Sequence, residues 1–134
     1  MSIMEQMMST HPAASSGALR DEVLRCVEAC AECAQSCAAC ADACLGEEMV
    51  ADLVECIRKN LDCADICAVT AALLVRQTGS NGDVQRAQLE ACRAACASCA
   101  EECEKHAEMH EHCRVCAEAC RRCEQACAGM LGVL

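Results

Sequence analysis

Residues 26–44 read CVEACAECAQSCAACADAC and place a cysteine at every third or fourth position, in steps of 4, 3, 4, 3 and 4. Residues three and four apart share one face of an α-helix, so this alternation aligns the sulfurs along a single stripe. The residues between them are mostly alanine and glutamate, which favour a helix. The stretch therefore predicts a long helix that uses cysteine at the a and d positions of a heptad. Its cysteines are Cys26, Cys30, Cys33, Cys37, Cys40 and Cys44.

Three further segments repeat the stripe. Two of them have the same spacing and carry Cys92, Cys96, Cys99 and Cys103, and then Cys113, Cys116, Cys120, Cys123 and Cys127. The remaining segment has only three cysteines, Cys56, Cys63 and Cys67, and forms a thinner stripe. Asn60 and Thr70 occupy seam positions of this thinner stripe, and we expect them to be hydrogen-bonded packing residues. Four such stripes predict an all-α protein, an antiparallel four-helix bundle with a cysteine-lined core.

Breakers and capping residues give the helix boundaries. The first helix is predicted over residues 18–45, with Ser16 as its N-cap and Gly46 after its end. The second is predicted over residues 47–77 and ends at the polar, glycine-containing run that follows.

Asp83 is expected to cap the third helix, which starts near Val84, and the fourth is expected to end near Gly129. The third and fourth helices need a turn within residues 104–112, because one helix over residues 84–128 would be about 68 Å long at ~1.5 Å per residue. We expect residues 1–15 to form a flexible tail and residues 16–134 to form one domain.

Composition restricts the class of protein. The chain has 134 residues, 18 cysteines and no aromatic residue. Disulfide scaffolds are loop-rich and secreted, whereas these cysteines lie in helix-forming segments and residues 1–20 show no secretion signal. We therefore expect reduced thiols and a cytoplasmic location. A net charge of −10 argues against nucleic-acid binding, and no segment is apolar enough for a membrane span.

The thiols are too many and too regular to be ordinary core residues. Leucine at the same positions would stabilise a bundle more, since each fully buried leucine contributes roughly 1.5–3 kcal/mol, so we interpret the cysteines as metal ligands. Soft thiolates select Cu(I), zinc or iron–sulfur clusters. One Cu(I) per thiolate replaces one proton and leaves the core neutral, whereas zinc on four unshared thiolates leaves two negative charges. The spacing matches no iron–sulfur motif. The sequence favours many Cu(I) ions per chain.

The two ends of the predicted bundle differ. The antiparallel arrangement of the four helices brings apolar residues to one end of the bundle, namely Leu19, Val23, Leu74, Leu89, Met130 and Leu131. The other end collects Cys44, Met49, His106, Met109 and His110. His106 and His110 continue the seam from Cys103 in steps of 3 and 4, and imidazole and thioether groups bind copper. We predict that metal enters there through His106, Met109 and His110, and that His112, which is off the seam, is a less favoured ligand.

The cysteine runs 26–44, 92–103 and 113–127, with Glu-Lys-His106 after the second, resemble the bacterial copper storage proteins over residues 18–129. The resemblance implies a four-helix bundle, Cu(I) bound by inward cysteines, histidine and methionine near the open end, and a homotetramer. It also implies the cytosolic branch of the family.

The expected function is therefore copper storage or sequestration without catalysis, because repeated equivalent cysteines leave no unique nucleophile. A copper chaperone or transporter is a possible partner, and a zinc-binding, metallothionein-like buffer is the alternative function.

Overall fold

The computed structural model describes residues 1–134 and contains five α-helices and no β-strand. The helices are α1 (Ile3–Ser9), α2 (Gly17–Leu45), α3 (Val54–Leu74), α4 (Gly82–His106) and α5 (Glu111–Val133), and a 3₁₀ turn, Val50–Leu53, precedes α3. No helix combines the length and the apolar character that crossing a membrane requires.

Helices α2 to α5 form an antiparallel four-helix bundle, which confirms the predicted fold. Helix α2 packs against α3 and α5, and helix α4 packs against the same two helices from the opposite side. The pairing of α2 with α5 shows the antiparallel register, because Cys26 Sγ lies 3.9 Å from Cys127 Sγ at one end and Cys40 Sγ lies 3.9 Å from Cys113 Sγ towards the other.

The cysteine seams turn inward on all four helices. Every cysteine is buried and none forms a disulfide. Charged residues occupy the outer faces, where Arg121 of α5 bridges to Glu104 of α4 at 2.8 Å. Exposed pairs of this kind contribute about 1 kcal/mol or less, so burial of the seams, and not surface charge, holds the helices together.

The predicted helix boundaries differ from the structure in detail, and the second helix also ends at Leu74 and not at residue 77. The second helix does not begin at residue 47, because the chain turns after Gly46 and enters the 3₁₀ turn before α3 starts. Ser16 is the N-cap residue of α2, but its side chain makes no capping hydrogen bond. Asn81, and not Asp83, precedes α4. Helix α5 also continues through Gly129 to Val133. The predicted turn between the last two helices is confirmed and follows His106.

Residues 3–9, within the segment predicted to be a flexible tail, form α1. Its start is fixed by a capping box, in which the Glu5 N–H donates to Ser2 Oγ at 3.1 Å. Met8 is buried in the hydrophobic core, and Arg20 of α2 hydrogen-bonds Ser9. Helix α1 therefore folds back onto the first turns of α2, because an otherwise exposed methionine gains an apolar site there.

The apolar end of the bundle matches the sequence prediction at four of six residues. Val23, Leu74, Leu89 and Met130 are buried beyond the last cysteines, whereas Leu131 is half-buried against them and Leu19 is exposed. We call these four buried residues the closed end. The opposite end, where α2 meets the 3₁₀ turn and α4 meets α5, is the open end.

Candidate metal centre

The inward seams produce a continuous column of sulfur along the bundle axis. Thiols on different helices approach closely, with 3.5 Å between Cys123 and Cys30, 3.6 Å between Cys37 and Cys120, and 3.6 Å between Cys67 and Cys96. A metal bound at about 2.3 Å from each of two sulfurs spans at most about 4.6 Å. Neighbouring thiols of the column are therefore close enough to share an ion with little movement.

Groups of four thiols recur along this column and share members. The sulfurs of Cys33, Cys37, Cys63 and Cys120 lie within 4.8 Å of one another, and Cys33 and Cys63 belong to a second such group with Cys67 and Cys96. Because the groups overlap, four-thiol sites cannot all be filled independently. The arrangement suits ions that are bridged by shared thiolates.

Hydrogen-bond contacts between thiols link thirteen cysteines into one network and leave five cysteines at the open end outside it. We call Cys40, Cys44, Cys56, Cys103 and Cys113 the outer thiols, and all other cysteines the inner thiols. Cys40, Cys44, Cys56 and Cys113 form a four-sulfur group at the open end. Cys103 joins them through Cys56 at 3.8 Å.

Asn60 lies between the outer and inner thiols and is completely buried. Its amide nitrogen donates to the Cys56 carbonyl at 2.9 Å and contacts the Cys56 sulfur at 3.4 Å. Its amide oxygen accepts from the inner thiols Cys99 at 3.2 Å and Cys116 at 3.1 Å. The expectation that Asn60 is a hydrogen-bonded packing residue is confirmed, and the structure adds that its partners are thiols on both sides.

Thr70, the other polar seam residue, is also hydrogen-bonded as predicted. Its hydroxyl donates to the Ile66 carbonyl at 2.7 Å and accepts from Gln88 at 3.0 Å.

Burial favours the protonated form of two outer thiols, Cys44 and Cys113, in the absence of metal. Burial raises the pKa of Cys44 to about 11, and burial together with Cys56 and Cys44 raises the pKa of Cys113. The cause is that a thiolate in an apolar core loses its hydration. A metal that binds there must displace a proton, so metal affinity falls as pH decreases.

His112 is the histidine closest to the thiols, although the sequence pattern placed it off the seam. Its Nδ1 lies 3.4 Å from Cys40 Sγ and 3.6 Å from Cys113 Sγ. Residue 112 is in the first turn of α5, where the side chain can fold over the end of the bundle. The only sequence signal for a role of His112 was its position immediately before Cys113. Helical periodicity does not reveal such a role, because adjacent residues do not share a helix face.

His110 is buried at the open end, with an exposed fraction of 9 %. Its Nδ1 lies 2.6 Å from Glu47 Oε2, while its Nε2 is buried and has no hydrogen-bond partner. Glu47 Oε2 also lies 3.0 Å from His112 Nε2, and the two imidazole rings stack with centroids 5.5 Å apart. Hydrogen bonding from His112, with a smaller electrostatic contribution from both histidines, lowers the pKa of Glu47.

His106 is bound to a different carboxylate. Its Nε2 lies 3.0 Å from Glu102 Oε2, and the same buried carboxylate receives Lys105 at 3.2 Å and Lys59 at 3.9 Å. Burial alone would raise the pKa of Glu102, but hydrogen bonds from His106 and Lys105 outweigh it and hold this pKa below its usual value. The structure therefore brings His106 to the rim of the open end and pairs it with Glu102.

The two methionines predicted at the open end are not brought to the thiols. Met109 is 65 % exposed and Met49 is 41 % exposed. A surface pocket between α2 and α5 does reach one outer thiol, Cys40, and one inner thiol, Cys116, and Ala43 and His112 are also among its lining residues.

Known proteins share this architecture. The family described as copper storage protein matches residues 19–132. A comparison with curated proteins finds no match to this chain.

The structure of the copper storage protein Ccsp from Streptomyces lividans, loaded with 10 copper equivalents, is 56 % identical and superposes with a TM-score of 0.94, covering 98 % of this chain and 99 % of that one. A form of the cytosolic copper storage protein from the same organism with five coppers is 59 % identical, with a TM-score of 0.87 over 89 % of this chain and 99 % of that one.

A Cu(I)-bound copper storage protein, BsCsp3, is 36 % identical and has a TM-score of 0.73, covering 82 % of this chain and 98 % of that one. With its sulfur-lined bundle and this family match over nearly its whole length, the chain belongs to the copper storage protein family.

Proposed function

We propose that this protein is a cytosolic store that holds many Cu(I) ions on its column of buried thiols. The observation that carries the proposal is that every cysteine is buried and faces the bundle axis at sulfur–sulfur spacings that a bridging ion can span. Solved relatives from Streptomyces lividans hold five coppers and 10 copper equivalents. The alternative of a zinc buffer has no support among these relatives.

Charge explains why copper suits this column. Each Cu(I) that replaces one thiol proton leaves the net charge of the core unchanged, so many ions accumulate without burying charge. The column also supplies no buried cation that would offset excess thiolate charge, because the buried polar residues are Asn60, Thr70, Glu102 and His110. A monovalent, thiophilic ion meets both conditions.

We assign all eighteen cysteines as ligands, with His110 and His112 as nitrogen ligands beside the outer thiols. The contacts of His112 with Cys40 and Cys113, and the unpartnered His110 Nε2, support the two histidines. His106 takes a place at the rim as an early binding site beside Glu102. Met109 could capture copper only from solvent, because it is exposed.

Storage, and not catalysis, is the role to which the thiols are suited. Enzymes that use cysteine need one accessible thiol with a lowered pKa, whereas these thiols are uniformly buried. The homotetramer, and the copper chaperone or transporter that would deliver the metal, stay predictions from the resemblance.

Anaerobic titration of the reduced protein with Cu(I), against a competing chelator, tests the proposal. We expect roughly one tightly held copper per cysteine. A parallel titration with Zn(II) is the control. If each zinc ion takes four unshared thiolates, the chain would bind only about four or five zinc ions. Binding of these zinc ions more tightly than copper would contradict copper storage.

A further inference from the structure

Glu47 joins the two histidines that lie beside the outer thiols, and the proposed function does not yet use it. It lies in the turn after α2, where its N–H donates to the Cys44 carbonyl at 3.2 Å. One of its oxygens, Oε2, lies 2.6 Å from His110 Nδ1 and 3.0 Å from His112 Nε2. A single carboxylate oxygen therefore contacts both rings of the stacked pair.

These contacts fix which nitrogen of each neutral ring carries the proton. An ionised carboxylate only accepts hydrogen bonds, and a neutral imidazole has one N–H and one lone pair. His110 is therefore protonated at Nδ1, and its lone pair is at Nε2. His112 is protonated at Nε2, and its lone pair is at Nδ1. The carboxylate thus selects opposite tautomers in two neighbouring histidines.

The His112 lone pair then faces the outer thiols, and the His110 lone pair lies on a buried nitrogen that no protein group contacts. The His112 Nδ1 is the atom that lies 3.4 Å from Cys40 Sγ and 3.6 Å from Cys113 Sγ. The His110 Nε2 is buried and has no protein partner. An orphaned nitrogen of this kind is uncommon in a folded protein, because an unmade buried hydrogen bond is unfavourable. A metal ion would satisfy it.

We propose that Glu47 is a positioning residue for copper uptake, which holds His110 and His112 in opposite tautomers so that two imidazole lone pairs are ready for Cu(I) at the outer thiols. The inference rests on the proposed copper storage function. Carboxylates that accept from the far nitrogen of a histidine orient it and raise its basicity as a ligand. Here one carboxylate serves two ligands, so its loss affects both.

The neighbouring Glu48 provides a matched control. It is exposed, and the structure gives it no contact with either histidine, so Glu48→Gln removes the same charge from the same turn without touching the rings. Glu47→Gln keeps the shape of the side chain but can accept only through its amide oxygen, because its amide nitrogen donates. It can therefore support at most one of the two required tautomers.

The first test reads the tautomers directly in the reduced protein without copper. Long-range ¹H–¹⁵N NMR of the imidazole nitrogens should show His110 protonated at Nδ1 and His112 protonated at Nε2. Glu47→Gln should change at least one of these signatures, and Glu48→Gln should change neither. The same tautomer in both histidines of the wild type, or unchanged signatures in Glu47→Gln, would overturn the proposal.

The second test measures the rate of Cu(I) uptake by stopped-flow spectroscopy. Glu47→Gln should slow loading by about tenfold, the lower end of the usual loss for an outer carboxylate partner, while the final copper content stays at the wild-type value. Loading as fast as in Glu48→Gln would overturn the role of Glu47. A wild-type copper content far below one ion per cysteine would instead overturn the storage function itself, so the two failures are distinguishable.

Discussion

The two ends of the bundle protect the same sulfur column in different ways. At the closed end, packed apolar side chains cover Cys26 and Cys127, and Leu89 is completely buried among them. At the open end, imidazoles and carboxylates such as Glu47 and Glu102 cover the outer thiols. Opening a packed apolar layer leaves an unfavourable cavity. Hydrogen-bonded polar groups, in contrast, can replace a hydrogen-bond partner with a metal ion. We therefore propose that one end stabilises the fold and that the other end admits copper.

The largest effect on stability is expected at the closed end. Leu89→Ala should lower the free energy of unfolding of the copper-free protein by about 2–5 kcal/mol, because it leaves a cavity in a fully buried layer. Copper content and loading rate should stay unchanged. Denaturant unfolding and stopped-flow loading measure the two quantities.

Val84→Ala is the matched control on the same helix, since this residue is half exposed and should change stability by less than about 0.5 kcal/mol. Slower copper loading in Leu89→Ala would show that metal also passes through the closed end.

A smaller effect is expected from the buried carboxylate at the open end. Glu102→Gln should lower the free energy of unfolding by about 1–3 kcal/mol at neutral pH, because it removes the negative charge and one of the two oxygens that accept from His106 and Lys105. The pKa of Glu102 is lower in the folded protein than in the unfolded chain, so its contribution is complete above the unfolded pKa. The contribution is lost as the pH falls through the folded pKa.

Unfolding of the wild type and of Glu102→Gln should therefore converge in acid. Glu101→Gln, at the exposed neighbouring position, is the control and should differ little from the wild type at any pH. A difference between wild type and Glu102→Gln that persists unchanged into acid would show that packing, and not charge, explains the effect.

The smallest effect is expected at the exposed thioether. Met109→Ala should change the rate of copper loading by less than about twofold, because the side chain is mostly in solvent and surface substitutions change free energies by about 0.5 kcal/mol or less. Stopped-flow loading at limiting copper measures this. A tenfold slower rate would show that Met109 captures copper before the histidines do.

The helical core was predictable because cysteine recurs with the period of an α-helix. The steps of three and four placed each cysteine on an inward face, and four such faces defined the bundle and its buried column. Asn60 and Thr70 were recognisable as polar interruptions of one seam, but the position of Asn60 between inner and outer thiols depends on how α3 packs against α4 and α5.

The turns were less predictable, because periodicity carries no information where a helix ends. The turn between α2 and the 3₁₀ turn places Glu47 beside two histidines that are more than sixty residues away in the chain, and no local pattern marks that approach. The same reason explains why His112 approaches the thiols from off the seam and why His106 pairs with Glu102. Tertiary contacts decide the direction of these side chains.

Anomalous diffraction at the copper edge, from crystals of the fully loaded protein, tests the central claim most directly. The account predicts copper sites along the bundle axis among both inner and outer thiols, each bonded to sulfur at about 2.3 Å. Copper confined to surface carboxylates and histidines, with a metal-free sulfur column, would contradict it.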